Sequence, residues 1–510
     1  MAWLSGYTYR KSITLSRASG AVTDYQMPVT VGYGAAADVT SVKFAGLGAT
    51  VLEAPYDDDT WVNPTNIYAD DATRASITAT SFDTNDYSQV LTATLFANAI
   101  PTGSVIKGIK VEIDKYHANG DVIDAVVQLT KDNTTRVGDN KADTSTHWPD
   151  ADSAVSYGDN TDLWGTTWTP EEINSPNFGV HIVAQAHGTD SDAYIDFVRI
   201  TVYYQYLVYT DSHCATDFDD LRFTTSDGTT LLDYWLEDKT DSDHAHLWLE
   251  FDSIGTSATT FYMYYGNAAA TAVSNGTNTF LFFDDFEDGT LDKWSTGADF
   301  SCQSTLKWGG SYAAKATKNI STTNLYGYLD FPETFAWEYR FRTDALPYAK
   351  LYIGLQTQNA ATRYLGVAMN NGKINYNDGS YHDYPTALTY VANTWYRIQY
   401  YCDTSSSNHN FTVYRDTTSG GAVSTVYDNS GEPNTRIRFV NDANDSASYY
   451  IDNVIVRNWR TTEPTWGSWG SEVTGSVPAK LKTFNGLTTP KIKTINGLSS
   501  EKWKTINGLV

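Results

Sequence analysis

The sequence predicts an all-β chain: several jelly-roll or β-sandwich domains in tandem, one inserted into another, with a short β-repeat at the C-terminus. Three observations carry this. Aromatic residues make up 14% of the 510 residues, with 36 Tyr and 15 Trp, the side chains that suit pleated, half-buried surfaces. Apolar and polar residues alternate with period two: Ile109, Val111 and Ile113 are spaced by Lys110, Glu112 and Asp114, and Phe335, Trp337, Tyr339 and Phe341 by Ala336, Glu338 and Arg340. Turn signals such as Asn119-Gly120, Asp227-Gly228, Asn275-Gly276 and Asn371-Gly372 recur between the runs, as antiparallel sheets require. No stretch predicts a helix longer than a turn or two.

The bulk properties set bounds on function. A chain this long exceeds one hydrophobic core, so three or four domains are expected. Its net charge of -25 comes from scattered Asp, which favours cation binding and opposes docking on phosphate backbones, so no nucleic-acid partner is expected. Cys214, Cys302 and Cys402 are far apart and odd in number, which excludes a disulfide framework. No apolar stretch is long enough to span a bilayer, and the opening residues lack the basic-then-apolar pattern of a secretory signal. The expectation is cytoplasmic synthesis without a signal peptide or membrane insertion, and an extracellular location reached by lysis.

The elements follow in order. Segments 1–45 and 207–278 form one discontinuous sandwich, interrupted by an inserted jelly roll over 46–206. A further jelly roll occupies 279–462. The two jelly rolls close alike, on Tyr194-Ile195-Asp196-Phe197-Val198 and Tyr450-Ile451-Asp452-Asn453-Val454, and each opens near an acidic cluster. Pro, Gly, Ser and Trp dominate a linker at 463–480. Residues 481–510 repeat every eleven residues, placing Leu481, Phe484 and Leu487, then Ile492, Ile495 and Leu498, then Trp503, Ile506 and Leu509 around Asn-Gly turns. One copy buries too little to fold alone, so the repeat is expected to mediate assembly, for example into a closed trimer.

Candidate chemistry is sparse. The first and last strands of a jelly roll can be neighbours, so acids at both ends can converge, and carboxylate oxygens suit a structural Ca2+. In 279–462 these are Glu287 and Asp452, with Asp284, Asp285 and Asp288 beside them; in 46–206 the weaker analogue is Asp57, Asp59 and Asp196. The alternative is that all are turn and edge-strand acids facing water. Asn371, Asn375, Tyr376, Asn377, Asp378 and Tyr381 mix rings with amides and a carboxylate, as sugar recognition requires, although a plain hairpin would look the same. Glu112 and Asp114 share a strand face, but Ile109, Val111 and Ile113 define the buried side, so both acids point to solvent and no catalytic pair is expected. His244 and His246 could share a strand face around a metal, with a solvated loop as the simpler reading.

Tyr7 to Val31, then Ser212-His213-Cys214, Asp217-Phe218, Asp227-Gly228, Asp233-Tyr234-Trp235 and Tyr262-Met263-Tyr264-Tyr265-Gly266-Asn267, resemble the uncharacterised family known as domain of unknown function twenty-three forty-one, of phage, archaeal and bacterial surface proteins. That resemblance implies location rather than chemistry. Phe282-Phe283-Asp284-Asp285-Phe286-Glu287 and Asn393-Thr394-Trp395-Tyr396-Arg397-Ile398 resemble a concanavalin or laminin-G jelly roll, a fold that often binds carbohydrate, without the Glu-x-Asp-x-x-Glu strand of its hydrolases. The terminal repeat is similar to tails of phage structural proteins. The expected function is therefore a non-catalytic virion-surface protein, of tail-fibre, head-fibre or decoration type, whose partners are virion proteins, itself and a host-surface glycan. A cell-surface adhesin or filament subunit is the first alternative, and a polysaccharide depolymerase the second.

Overall fold

The computed structural model describes residues 2–475, apart from 79–80, 102, 297–299, 317–322, 329–330, 347–350, 358–364, 378–379, 406–407, 417, 427–433 and 442–446, together with 483–484, 487–488, 494–495 and 498–499. It is all-β, and its two described helices, Pro170–Asn174 and Gly276–Thr279, are single turns.

Three sandwiches carry three cores. In the first, one sheet runs Leu231–Leu232, Arg222–Thr224, Thr259–Tyr265, Tyr9–Ser16 and Thr465–Trp466, and the facing sheet runs Val208–Tyr209, Val22–Gly32, His244–Ile254 and Tyr234–Thr240. Alternating inward residues, among them Leu15, Val29, Leu247, Phe251 and Met263, fill the space between them. The second sandwich packs Ser153–Tyr157, Val105–His117, Ala193–Gln205 and Val39–Phe44 against Leu47–Val51, Val90–Thr94, Gly179–Ala186, Val122–Thr130 and Arg136–Val137. Its core contains Ile109, Val111 and Ile113, the buried face that the alternation predicts. The third pairs an eight-stranded sheet with a seven-stranded one. Its first strand, Phe282–Asp284, lies antiparallel to its last, Tyr449–Asn458.

Two expected boundaries move. Val39–Phe44 pairs with Ala193–Gln205, so the inserted sandwich begins at 39 rather than 46. Of the expected linker at 463–480, residues 465–475 are built into the first sandwich: Thr465–Trp466 and Val473–Thr474 both pair with Tyr9–Ser16. The cause is an otherwise open sheet edge, whose carbonyls at Thr14, Ser12 and Thr8 accept the N–H groups of Gly467, Gly470 and Gly475 at 2.7–2.8 Å. Glycine is needed for that approach, since a Cβ on Gly467 would sit 2.2 Å from the Thr14 hydroxyl oxygen.

The first and third sandwiches share an interface. Trp235, Trp248, Phe280, Phe283 and Ile455 form a buried cluster across it. Beside it, Glu237 accepts from Arg340 at 2.9 Å, and Glu338 accepts from Arg397 and, at 3.3 Å, from Arg457. Glu338 and Arg340, polar spacers in the sequence pattern, thus face a second domain rather than water. In the repeat, Thr483–Phe484 pairs with Leu487–Thr488 and Thr494–Ile495 with Leu498–Ser499, two hairpins at the spacing the Asn-Gly pairs predict. Leu481, Ile492, Trp503, Ile506 and Leu509 lie outside the described residues.

Candidate functional site

The site lies on the outward face of the inserted sandwich, where two strands and a loop meet. On Val105–His117 the core takes alternate residues, which leaves Glu112, Asp114 and Tyr116 on the other side. The neighbouring strand Ala193–Gln205 shifts register against it twice, at Asp196 and again between Tyr203 and Tyr204. Ile195 pairs with Lys115 and Phe197 with Asp114, so Asp196 is bulged out between them, and the inward positions shift from Ala193 and Ile195 to Val198, Ile200 and Val202. The 62–74 loop crosses this face. It is held by paired Val62 and Ser76 N–H···O bonds of 2.8 and 3.0 Å, by the Val198 N–H donating to the Ile67 carbonyl at 3.1 Å, and by the Ala72 N–H donating to Asp196 Oδ2 at 3.2 Å.

Folding this way brings Asp70, Asp114 and Asp196 together, with one oxygen from each lying within 4.8 Å of the others. Burial raises the carboxyls of Asp114 and Asp196, and neighbouring acids, Asp152 among them, add to it. Next to them, the rings of Tyr116 and Tyr194 stack at 4.6 Å and 10°. The Arg74 guanidinium lies 5.3 Å from the Tyr116 centroid and pairs with Asp152. Arg199 forks onto Glu112 at 3.1 and 3.2 Å. Tyr68, on the loop, is exposed. The face is thus aromatic at its centre and rich in directional acceptors.

Asp57 and Asp59, the acids expected to gather at Asp196, do not join it. Asp57 is exposed, and Asp59 turns to the Ser81 hydroxyl at 3.1 Å beside Asp58 and Asp86. Asp70 takes their place; it was legible only as part of Asp70-Asp71, with nothing in the spacing to join it to Asp196. In the third sandwich Glu287 and Asp452 do converge, around the 308–312 loop, but as hydrogen-bond acceptors. Glu287 takes the N–H groups of Ser311 and Tyr312 at 2.7–2.9 Å, and Asp452 Oδ2 takes those of Trp308 and Gly309 at 2.8 and 3.4 Å. Positive N–H ends aimed at both carboxylates anchor the loop. Asp284 accepts from Trp294 Nε1 at 2.5 Å and from Phe286 N–H at 2.9 Å, while Asp285 and Asp288 cap the N–H groups of Glu287 and Thr290.

The expected sugar-reading hairpin is largely occupied with itself. Asn375 is buried and donates to Asp383 at 2.6 Å, and Tyr376 stacks on His382 at 4.8 Å while its edge meets Phe411. Asn371 holds the turn with φ of 45°, and Tyr381 opens the next strand. The Asn377 side chain and Asp378 lie outside the described residues. His246 contacts Thr30 and Glu237 while His244 contacts Asp243 and Tyr206, so the two histidines do not share a site.

Residues 217–308 match the family model described as a domain of unknown function (DUF2341). The match runs from the second half of the first sandwich into the opening strands of the third, and leaves the 7–31 motif outside it. No curated protein matches the sequence. Among solved structures, the chain is similar to the cellulose induced protein Cip1 (13% identity, 36% of this chain and 99% of that one, TM-score 0.30). It is also similar to a conserved carbohydrate esterase from Shiga toxin-encoding bacteriophage phi24B (16%, 36% and 99%, 0.28) and to a family 16 carbohydrate binding module (13%, 34% and 99%, 0.20).

Proposed function

We propose that this chain is a non-catalytic structural protein of a virion surface, which displays a glycan-binding face on its inserted sandwich and assembles through its C-terminal repeat. The observation that supports the reading is the outward sheet face carrying the stacked Tyr116–Tyr194 pair beside Asp114, Asp196 and the Glu112–Arg199 fork. An aromatic face packs on sugar C–H groups while carboxylates accept from hydroxyls, and a sheet holds both without an ordering cost on binding. Glu112 is held by Arg199 and Lys110, and those cations outweigh burial in keeping its carboxyl low, which suits a fixed acceptor. The two hairpins along the tail leave strand edges onto which neighbouring subunits could add.

A glycan array probed with the intact chain tests the reading. Binding to a defined glycan class, lost on Tyr194→Ala without release of reducing ends, is the expected result. Equal retention of the same glycans by Tyr194→Ala, or release of reducing ends from them, would reject it.

A further inference from the structure

We propose that Asp70, Asp114 and Asp196 hold a hard divalent cation, Ca2+ in the first place, between the outward sheet face and the 62–74 loop. This rests on the carboxylates alone and is independent of glycan binding. Three carboxylate oxygens within 4.8 Å of one another repel strongly unless something positive lies between them. Oxygens about 2.4 Å from a shared Ca2+ fall within that span.

The second observation concerns what the oxygens do. Asp196 is 3% exposed, and its Oδ1 has no hydrogen-bond donor among the described residues; Oδ1 of Asp114 is likewise buried and unpartnered. A buried anionic oxygen without a donor is costly. The nearest cation is committed elsewhere: Arg74 spends Nε and Nη2 on Asp152 and Nη1 on the Ala72 carbonyl. The bulge at Asp196 takes its carboxylate out of the core series to the face that carries Asp114, and the Ala72 N–H fixes Oδ2, which leaves Oδ1 as the oxygen without a donor. Asp70 closes the set from the exposed loop, so a cation there would tie loop to sheet and fix the position of Tyr68, two residues away.

The test uses the full chain, stripped with chelator, titrated with Tb3+ as a luminescent Ca2+ mimic excited through nearby Tyr, and then competed with Ca2+. Asp70→Asn and Asp196→Asn are the variants; Asp70 is exposed, so its change leaves the fold intact, and Asp57→Asn is the control. We expect a site of at least millimolar affinity, the range of extracellular Ca2+ modules, weakened roughly 10–100-fold or more in both variants and unchanged in the control. Titrations of Asp70→Asn and Asp196→Asn that superimpose on the parent, or a parent that takes up no ion in that range, would overturn the proposal.

Discussion

At the scale of single residues, burial decides which charges the fold tolerates. Desolvation lifts the Asp452 carboxyl to about 7, and the Glu287 charge adds to it, against the N–H groups of Trp308, Gly309 and Asn453 that favour its ionised form. Its folded pKa therefore lies above its unfolded value of 3.8. The unfolded chain loses this proton first as pH rises, so the contribution is full below 3.8 and is lost as pH climbs through about 7. Lowering pH from about 8 to about 5 should raise the melting temperature, and Asp452→Asn should flatten that rise by an amount whose ceiling is roughly 3 kcal/mol. Calorimetry of parent and variant across that range checks it; parallel curves would contradict the assignment. Glu237 has the opposite sign. Burial alone would raise it, but Arg340, Arg397 and His246 outweigh burial and hold it at about 2, so its stabilisation is present above 4.5 and lost in acid. Asp452 was legible in the sequence as a residue that meets Glu287, because first and last strands pair. What those carboxylates accept was not legible, because the loop carrying Trp308 and Ser311 has no periodicity to place it.

Among the elements, long strands announce themselves and short ones do not. Ile109, Val111 and Ile113 revealed a thirteen-residue strand, Val105–His117, and its buried face. Thr465–Trp466 and Val473–Thr474 are two residues each, shorter than any alternation, and their Gly and Ser neighbours read as a linker. The bulge at Asp196 is equally silent, since one added residue leaves composition and turn signals unchanged while it reverses the faces beyond it. Trp466 gives the short strand its hold: its ring lies 5.9 Å from Phe251 and 6.1 Å from Trp469, and Nε1 donates to the Pro28 carbonyl at 3.2 Å. Trp466→Ala should cost on the order of 2 kcal/mol and uncover the Tyr9–Ser16 edge. Denaturant melts would register the loss, and light scattering the self-association that an open edge invites; a variant matching the parent in both would show that the strand is held by its backbone alone.

For the whole molecule, the inserted sandwich enters and leaves at one point. Val208 pairs in parallel with Val31, and the Thr210 N–H donates to the Gly32 carbonyl at 2.9 Å, so its two ends lie side by side, as tolerated insertions require. Removing 39–205 and joining the flanks with a short Gly/Ser linker should leave the remaining sandwiches folded. A cooperative melt and unchanged protection of the His244–Ile254 strand in hydrogen exchange are the expected readings, and loss of both would mean that the insert is part of its host's core. The extent of 46–206 was read from the clear alternating pattern of the closing strand, Ala193–Gln205. The error at its start traces to Val39–Phe44, an edge strand with four of six residues exposed and hence no buried face to read. The returning strands at 465–474 have a mechanical consequence. Tension applied to the C-terminal tail is delivered first to the Tyr9–Ser16 edge through Gly467, Gly470 and Gly475, and from there across the first sandwich to the insert. The third sandwich, whose entry and exit both lie upstream of that clasp, is a loop outside the load path, so a force between the insert and the tail bypasses the 279–462 core.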